Sequence, residues 1–208
     1  MPEVYNQADL HKARFFASHG RQESLREAQL TKADLRRVDL AGADLSVATF
    51  HSAQLAEVNL RGAILDGADL RNASLERAKL TGARLAEAQL TGARLQEADL
   101  SEADLTRAHL READLSRANL AGACLAEATL QETQLVDANL AGADLRGAQL
   151  LGTDCRRANL RGVNLSGATL WWPRLDGADL RGATLDGVTL VGVREDLVGL
   201  AGVGEAEV

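Results

Sequence analysis

Leucine falls on every fifth residue of this 208-residue chain with almost no slip. From Leu10 to Leu190 there are 37 such positions, and 33 hold Leu; the others are Phe15, Gly20, Phe50 and Cys155. Two residues earlier, 28 of the 37 positions are Ala, and the rest are small or β-branched apart from Glu23 and Pro173. Between Arg21 and Leu190 nothing is inserted or deleted. A period of five suits neither regular element. On an α-helix five residues advance about 500°, so successive Leu rotate ~140° apart and no apolar face forms. In a flat strand an odd step sends alternate Leu to opposite faces. What remains is a chain that turns every five residues and directs Leu and Ala into one shared interior, a solenoid of short β-bridged sides.

The glycines mark the turns. Of 19 Gly, 15 stand two residues after the Leu slot, among them Gly42, Gly92, Gly142 and Gly192. A type II turn needs positive φ at its third residue, which Gly supplies without steric cost. Where Glu57, Arg77, Glu97 or Arg107 fills this slot, the expectation is a turn without positive φ.

Runs such as Ala98-Asp99-Leu100-Ser101-Glu102 and Ala118-Asn119-Leu120-Ala121-Gly122 match the A(D/N)LXX pattern. On these the chain resembles the pentapeptide repeat family from Asn6 to Leu190. The resemblance implies an all-β fold, a right-handed quadrilateral parallel β-helix with four pentapeptides to a coil. About nine coils would stack at ~4.8 Å into a rod. Residues 1–20 are expected to form an irregular first coil and cap, since Phe15 to Gly20 break the pattern but keep the count. Residues 21–192 are expected to form the β-helix, and 193–208 a C-terminal cap or tail whose Leu197, Val198, Leu200 and Val203 cover the last coil.

Composition narrows the function. Net charge is −7, which argues against a nucleic-acid-binding surface. No apolar run approaches a membrane span. Cys124 and Cys155 are too few for a disulfide framework, and Met1 to His11 lacks a secretion signal, so the expected compartment is the cytoplasm. His11, His19, His51 and His109 have no metal-ligand spacing. Cys155 replaces a core Leu and is expected to be buried and inert, while Cys124 points outward. Carboxylates before Leu recur too densely to be an acid–base pair and read as surface decoration. Asn119, Asn139 and Asn159 stack as a hydrogen-bond ladder. No phosphate loop or nucleophile elbow occurs, and a convex rod offers no pocket. The expectation is a non-enzyme with no cofactor and no metal.

With four pentapeptides to a coil, every fourth pentapeptide returns to the same side, and outward positions one coil apart form columns. Leu151, Trp171 and Val191 share one, and Trp172 adjoins it. This apolar stripe reads as a contact. Three occupants stay open: the C-terminal tail, a second copy in a homodimer through the C-terminal coils, or a foreign protein. One face also sums to −5, carrying Asp44, Asp66, Glu87, Asp104, Glu127, Asp144 and Asp186. The other three sum to +1, 0 and +1. The acidic face reads either as a solvated surface or as a strip offered to a basic groove.

The resemblance implies two functions of different kinds. Quinolone-resistance and poison-immunity members of the family are DNA mimics that bind DNA gyrase or topoisomerase IV. Against them, this chain is only modestly acidic, has a Leu rather than Phe core, and lacks an interrupting loop. The alternative is an interaction scaffold for another protein. Ice binding would need regular Thr columns, and Gln149 interrupts Thr129, Thr169 and Thr189.

Overall fold

The computed structural model describes residues 10, 11, 13, 14 and 24–192. Across 24–192 the pentapeptides repeat one motif: two turn residues, a small inward residue, a bridging residue and an inward Leu, replaced by Phe50 and Cys155 at two positions. The bridges are parallel and join each bridging residue to its counterpart four pentapeptides on, from Gln29↔Thr49 through to Asn164↔Thr184. Four bridged sides close each coil, and the chain winds as a right-handed quadrilateral β-helix. Among the described residues, sides lengthen into strands only toward the C-terminal end, as β1 (Thr169–Trp171) and β2 (Thr189–Val191). They pair in parallel with Trp171 opposite Val191.

The backbone hydrogen bonds explain why the motif has five residues. The Leu N–H donates to the carbonyl just before its own counterpart in the next coil, as Leu30 does to Thr49 at 2.8 Å. The second turn residue does the same, Lys32 to His51 at 2.9 Å. The bridging residue donates backwards, Thr49 to Ala28 at 2.9 Å, and the small residue closes the turn, Ala33 to Leu30 at 3.0 Å. In the described coils with a described coil after them, the N–H of the first turn residue is left without a backbone acceptor. Buried or half-buried N–H groups need partners.

The side chain before Leu supplies one. Asp34 accepts from the Arg36 N–H at 3.2 Å, Asp104 from Thr106 at 3.0 Å, and Asn119 from Ala121 at 3.3 Å. Short Asp and Asn side chains reach the N–H two residues on; this is an Asx turn. Gln in the same slot is longer and donates instead to the carbonyl of the preceding second turn residue, Gln29 Nε2 to Glu27 O at 3.1 Å. So the carboxylates before Leu are not surface decoration: they complete the backbone.

The corners also differ from expectation. Glu57, Arg77, Glu97 and Arg107 have φ of 59°, 57°, 60° and 57°, the same left-handed conformation as the glycine corners. The cause is the stack. Each corner N–H must meet the carbonyl of the next coil, so no corner can change its turn alone. Non-Gly residues accept a backbone cost of about 1–2 kcal/mol there.

Inside, Leu and Ala from every side form one continuous cluster with Phe50 and Cys155. Where Thr133 and Thr153 replace Ala, their buried hydroxyls donate to the carbonyls of Leu110 and Leu130, at 2.8 and 2.7 Å. At the N-terminal end Leu10, His11, Ala13 and Arg14 are helical. Leu10 and Ala13 are buried in the cluster, and Arg14 donates to the Asp34 carbonyl on the first coil's open edge at 3.1 Å. The tail expected at 193–208 lies outside the described residues.

Gly142 isolates the backbone cost of a corner, because its φ is +67° and a Cβ added there meets nothing within 4 Å. Gly142→Ala is expected to lose about 1 kcal/mol by denaturant unfolding. An unchanged midpoint would refute the strained-corner account.

Candidate functional site

The acidic face is built from the side whose bridging column runs Asp44, Ile64, Arg84, Asp104, Cys124 and Asp144. The structure brings its seven expected carboxylates onto one side and engages six of them in hydrogen bonds or ion pairs. Asp66 pairs with Arg84, and the Ala86 N–H donates to it at 3.2 Å. Glu87 and Glu127 both hold Arg107, at 3.8 and 2.9 Å. Asp144 takes Arg146 through its backbone N–H and its guanidinium, the closest contact at 2.6 Å. Asp44 and Asp104 are occupied by Ser46 and Thr106, whose hydroxyls donate at 2.6 Å. Asp186 is exposed. The face is therefore a mesh of Asp, Glu and Arg rather than a row of open charges.

The opposite chemistry sits at the C-terminal coils. Trp171 and Trp172 are 43% and 60% exposed, which is unusual for rings of this size. They meet edge to face, centroids 6.3 Å apart at 70°. Leu151 and Val191 are half-buried in the same column as Trp171. Trp172 has φ of 50°, a genuine outlier for a bulky side chain. Its ring lies over Gly192, where a Cβ would overlap it. Pro173 follows directly and removes the N–H that would close the corner. The pair is thus directed outward, with Trp172 packed over Gly192. Val47 is the other exposed large apolar residue among those described, and it stands alone near the opposite end.

Three features escaped the sequence reading. The first is a column of corner residues that alternates in charge: Arg37, Glu57, Arg77, Glu97, Arg117, Asp137 and Arg157. Its ion pairs include Arg37–Glu57 at 3.0 Å, Arg77–Glu97 at 2.7 Å and Asp137–Arg157 at 2.7 Å. Reading every twentieth residue from Arg37 would have shown it. Ser116 and Val136 line a shallow depression beside it. The second is Asp154, the one buried charged side chain among the described residues. Arg156 and Arg174 close over it at 2.7 and 3.3 Å. Nothing in its Thr-Asp-Cys context announced this. The third is an extension of the Asn ladder. Asn159 donates to Asn139, Asn139 to Asn119, and Asn119 to Asp99, at 2.8, 3.0 and 3.1 Å. The carboxylate thus terminates a chain of amides that all point one way.

Titration follows from these contacts. The Arg36 hydrogen bonds hold the Asp34 carboxyl down to about 2. Arg146 lowers Asp144 in the same manner. Burial raises Asp154, but the hydrogen bonds of Arg156 outweigh it and the net direction is down. Burial, with Asp154 adjacent, pushes the Cys155 thiol up to about 12, which keeps it protonated and inert. Among the described residues no group of His, Cys, Asp and Glu is placed to hold a metal ion, and no helix is long and apolar enough to cross a membrane.

The profile of the family described as pentapeptide repeats matches in eight copies that together span residues 24–194. No curated protein sequence matches the chain. Among solved structures it is similar to HetL, a pentapeptide repeat protein involved in heterocyst differentiation regulation from the cyanobacterium Nostoc sp. strain PCC 7120. Identity is 33% over 80% of this chain and 84% of that one, with a TM-score of 0.51. It is also similar to QnrB1, a plasmid-mediated fluoroquinolone resistance protein, in two trypsin-treated forms. One gives a TM-score of 0.70 at 25% identity over 76% of this chain and 81% of that one. The other gives 0.67 at 27% identity over 73% and 76%.

The lowered carboxylates set an acid limit. A depressed folded pKa contributes stability that is present above the unfolded value and lost as pH falls through the folded one. For Asp34 that window runs from 3.8 down to about 2. Denaturant midpoints are expected to be flat above about pH 5 and to fall steadily below about pH 4. A midpoint still flat at about pH 2.5 would rule out a stabilising role for these bonds.

Proposed function

Because the chain belongs to the pentapeptide repeat family, we propose that it is a non-enzymatic protein-binding rod whose contact is the apolar stripe of Leu151, Trp171, Trp172 and Val191. The carrying observation is the Trp171–Trp172 pair, exposed, mutually packed and held outward on a strained corner. Backbone strain persists where the surroundings over-determine it, and such sites concentrate function. A rigid scaffold loses little entropy on docking, and each Trp can bury on the order of 150–250 Å². The partner is a protein, without direct nucleic-acid or membrane contact, met in the cytoplasm. A second copy bound through the C-terminal coils is the homodimer form of this reading.

A second reading has its own support, the fold likeness to QnrB1. On it, the rod binds DNA gyrase or topoisomerase IV through Asp44, Asp66, Glu87, Asp104, Glu127, Asp144 and Asp186 and protects the enzyme from poisons. A basic groove would then compete with Arg84, Arg107 and Arg146 for carboxylates they already hold. That competition ranks the strip below the stripe.

A gyrase supercoiling assay with and without a fluoroquinolone separates the two. The scaffold reading expects no effect up to high micromolar rod. Protection at low micromolar rod, lost on charge reversal of Asp104, Glu127 and Asp144 but kept by Trp171→Ala/Trp172→Ala, would install the topoisomerase reading instead. Sedimentation equilibrium tests the homodimer form: a dimer that the Trp double variant dissociates by at least about tenfold supports it.

A further inference from the structure

The Trp pair sits on a corner whose inward residues grow along the rod. The small slot of this corner holds Ala33, Ala53, Ala73, Ala93 and Ala113, then Thr133, Thr153 and Pro173. A small residue closes its corner by donating its N–H to the Leu carbonyl three residues earlier, and the length of that bond reports how well the slot is fitted. Ala makes it at 2.8–3.1 Å. Val38, Val58, Val163 and Val188 make it at 3.2, 3.1, 3.2 and 3.3 Å. A branched side chain pointing into a close-packed core pushes its corner open.

On the Trp corner the opening accumulates. Ala113 makes the bond at 3.0 Å, Thr133 at 3.2 Å and Thr153 not at all, and Pro173 has no N–H to give. Among the described residues no other corner lacks its closing bond. The threonine hydroxyls support the open form. Both side chains are fully buried, and each donates to a carbonyl of the coil below, Leu110 or Leu130. The effect appears one layer out. After Leu150 the corner still turns, but after Leu170 the side runs straight on as β1 through Trp171, which pairs with Val191 in β2. The bend then falls on Trp172, whose φ of 50° is the lowest positive value of any described corner. Its N–H still meets the Val191 carbonyl at 2.7 Å, so the ladder survives. Just past the proline, Arg174 folds back onto the buried Asp154 at 3.3 Å.

We infer that Thr133, Thr153 and Pro173 are positioning residues for the contact site: inward bulk in three successive coils opens this corner and sets Trp171 and Trp172 against each other on the surface. The geometry of the pair is specified from inside the core, by buried side chains that no partner touches. Their role depends on the stripe being the contact, yet the corner is read without any partner, so the two can fail separately.

Both Trp of the chain belong to this pair, so Trp circular dichroism reports this corner alone. Edge-to-face indoles in contact couple their transitions, and loss of the coupled band in Trp171→Phe calibrates it. Thr153→Ala/Pro173→Ala restores the small slot. The expected result is a closed corner: the backbone amide gained at position 173 protected from exchange, the coupled band lost, and a denaturant midpoint no lower than that of the unaltered chain. A coupled band that survives in the double variant overturns the proposal. So does a band lost together with a lower midpoint, which would assign the series to packing alone. If the double variant does not fold, amide exchange on the unaltered chain decides. The Thr153 amide is expected to exchange at least roughly tenfold faster than those of Ala148 and Ala158, which make their closing bonds. Equal protection of the three overturns the open corner.

Discussion

The structure depends on one hydrogen-bond step, repeated at every side of the coil: each inter-coil N–H meets the carbonyl just before its counterpart in the neighbouring coil. That step joins residues four pentapeptides apart, so a residue inserted into a side must loop out of its own coil for the ladder to stay in register. It also explains the left-handed corners. Stacked corners share one geometry, and a glutamate or arginine adopts the glycine conformation because its neighbours above and below already have it. Local preference loses to the stack, at about 1–2 kcal/mol for each such corner.

Interior and exterior are then nearly independent. The inside needs Leu and a small residue, and the slot before Leu, where it holds Asp or Asn, supplies an acceptor for one N–H. The two turn residues remain free to carry whatever the surface requires. On one corner they hold alternating charges, on another paired Trp, on a third mostly Gly. Exposed ion pairs add little stability individually. Their effect on the acidic face is different: they occupy carboxylates that a basic partner would need.

The fold was legible because the five-residue period admits no helix and no flat strand. The column arithmetic also placed Leu151, Trp171 and Val191 in one column and Asn119, Asn139 and Asn159 in another. The corner conformation of Glu57 and Arg77 was not legible, since propensity speaks for single residues and the stack acts on all of them. Nor was the role of Asp before Leu: its acceptor duty appears only once every other N–H has been assigned. The mesh on the acidic face was hidden for a related reason. A face total of −5 counts charges but not which Arg reaches which carboxylate.

The alternating column from Arg37 to Arg157 bears on how such a rod can lengthen. Duplicating one coil within it would stack Arg on Arg or Glu on Glu, a like-charge contact at strand spacing. Duplicating two coils preserves every pair. The backbone would accept growth one coil at a time, but this corner accepts it only in pairs of coils. The surface, not the core, thus sets the unit by which the gene can expand without cost.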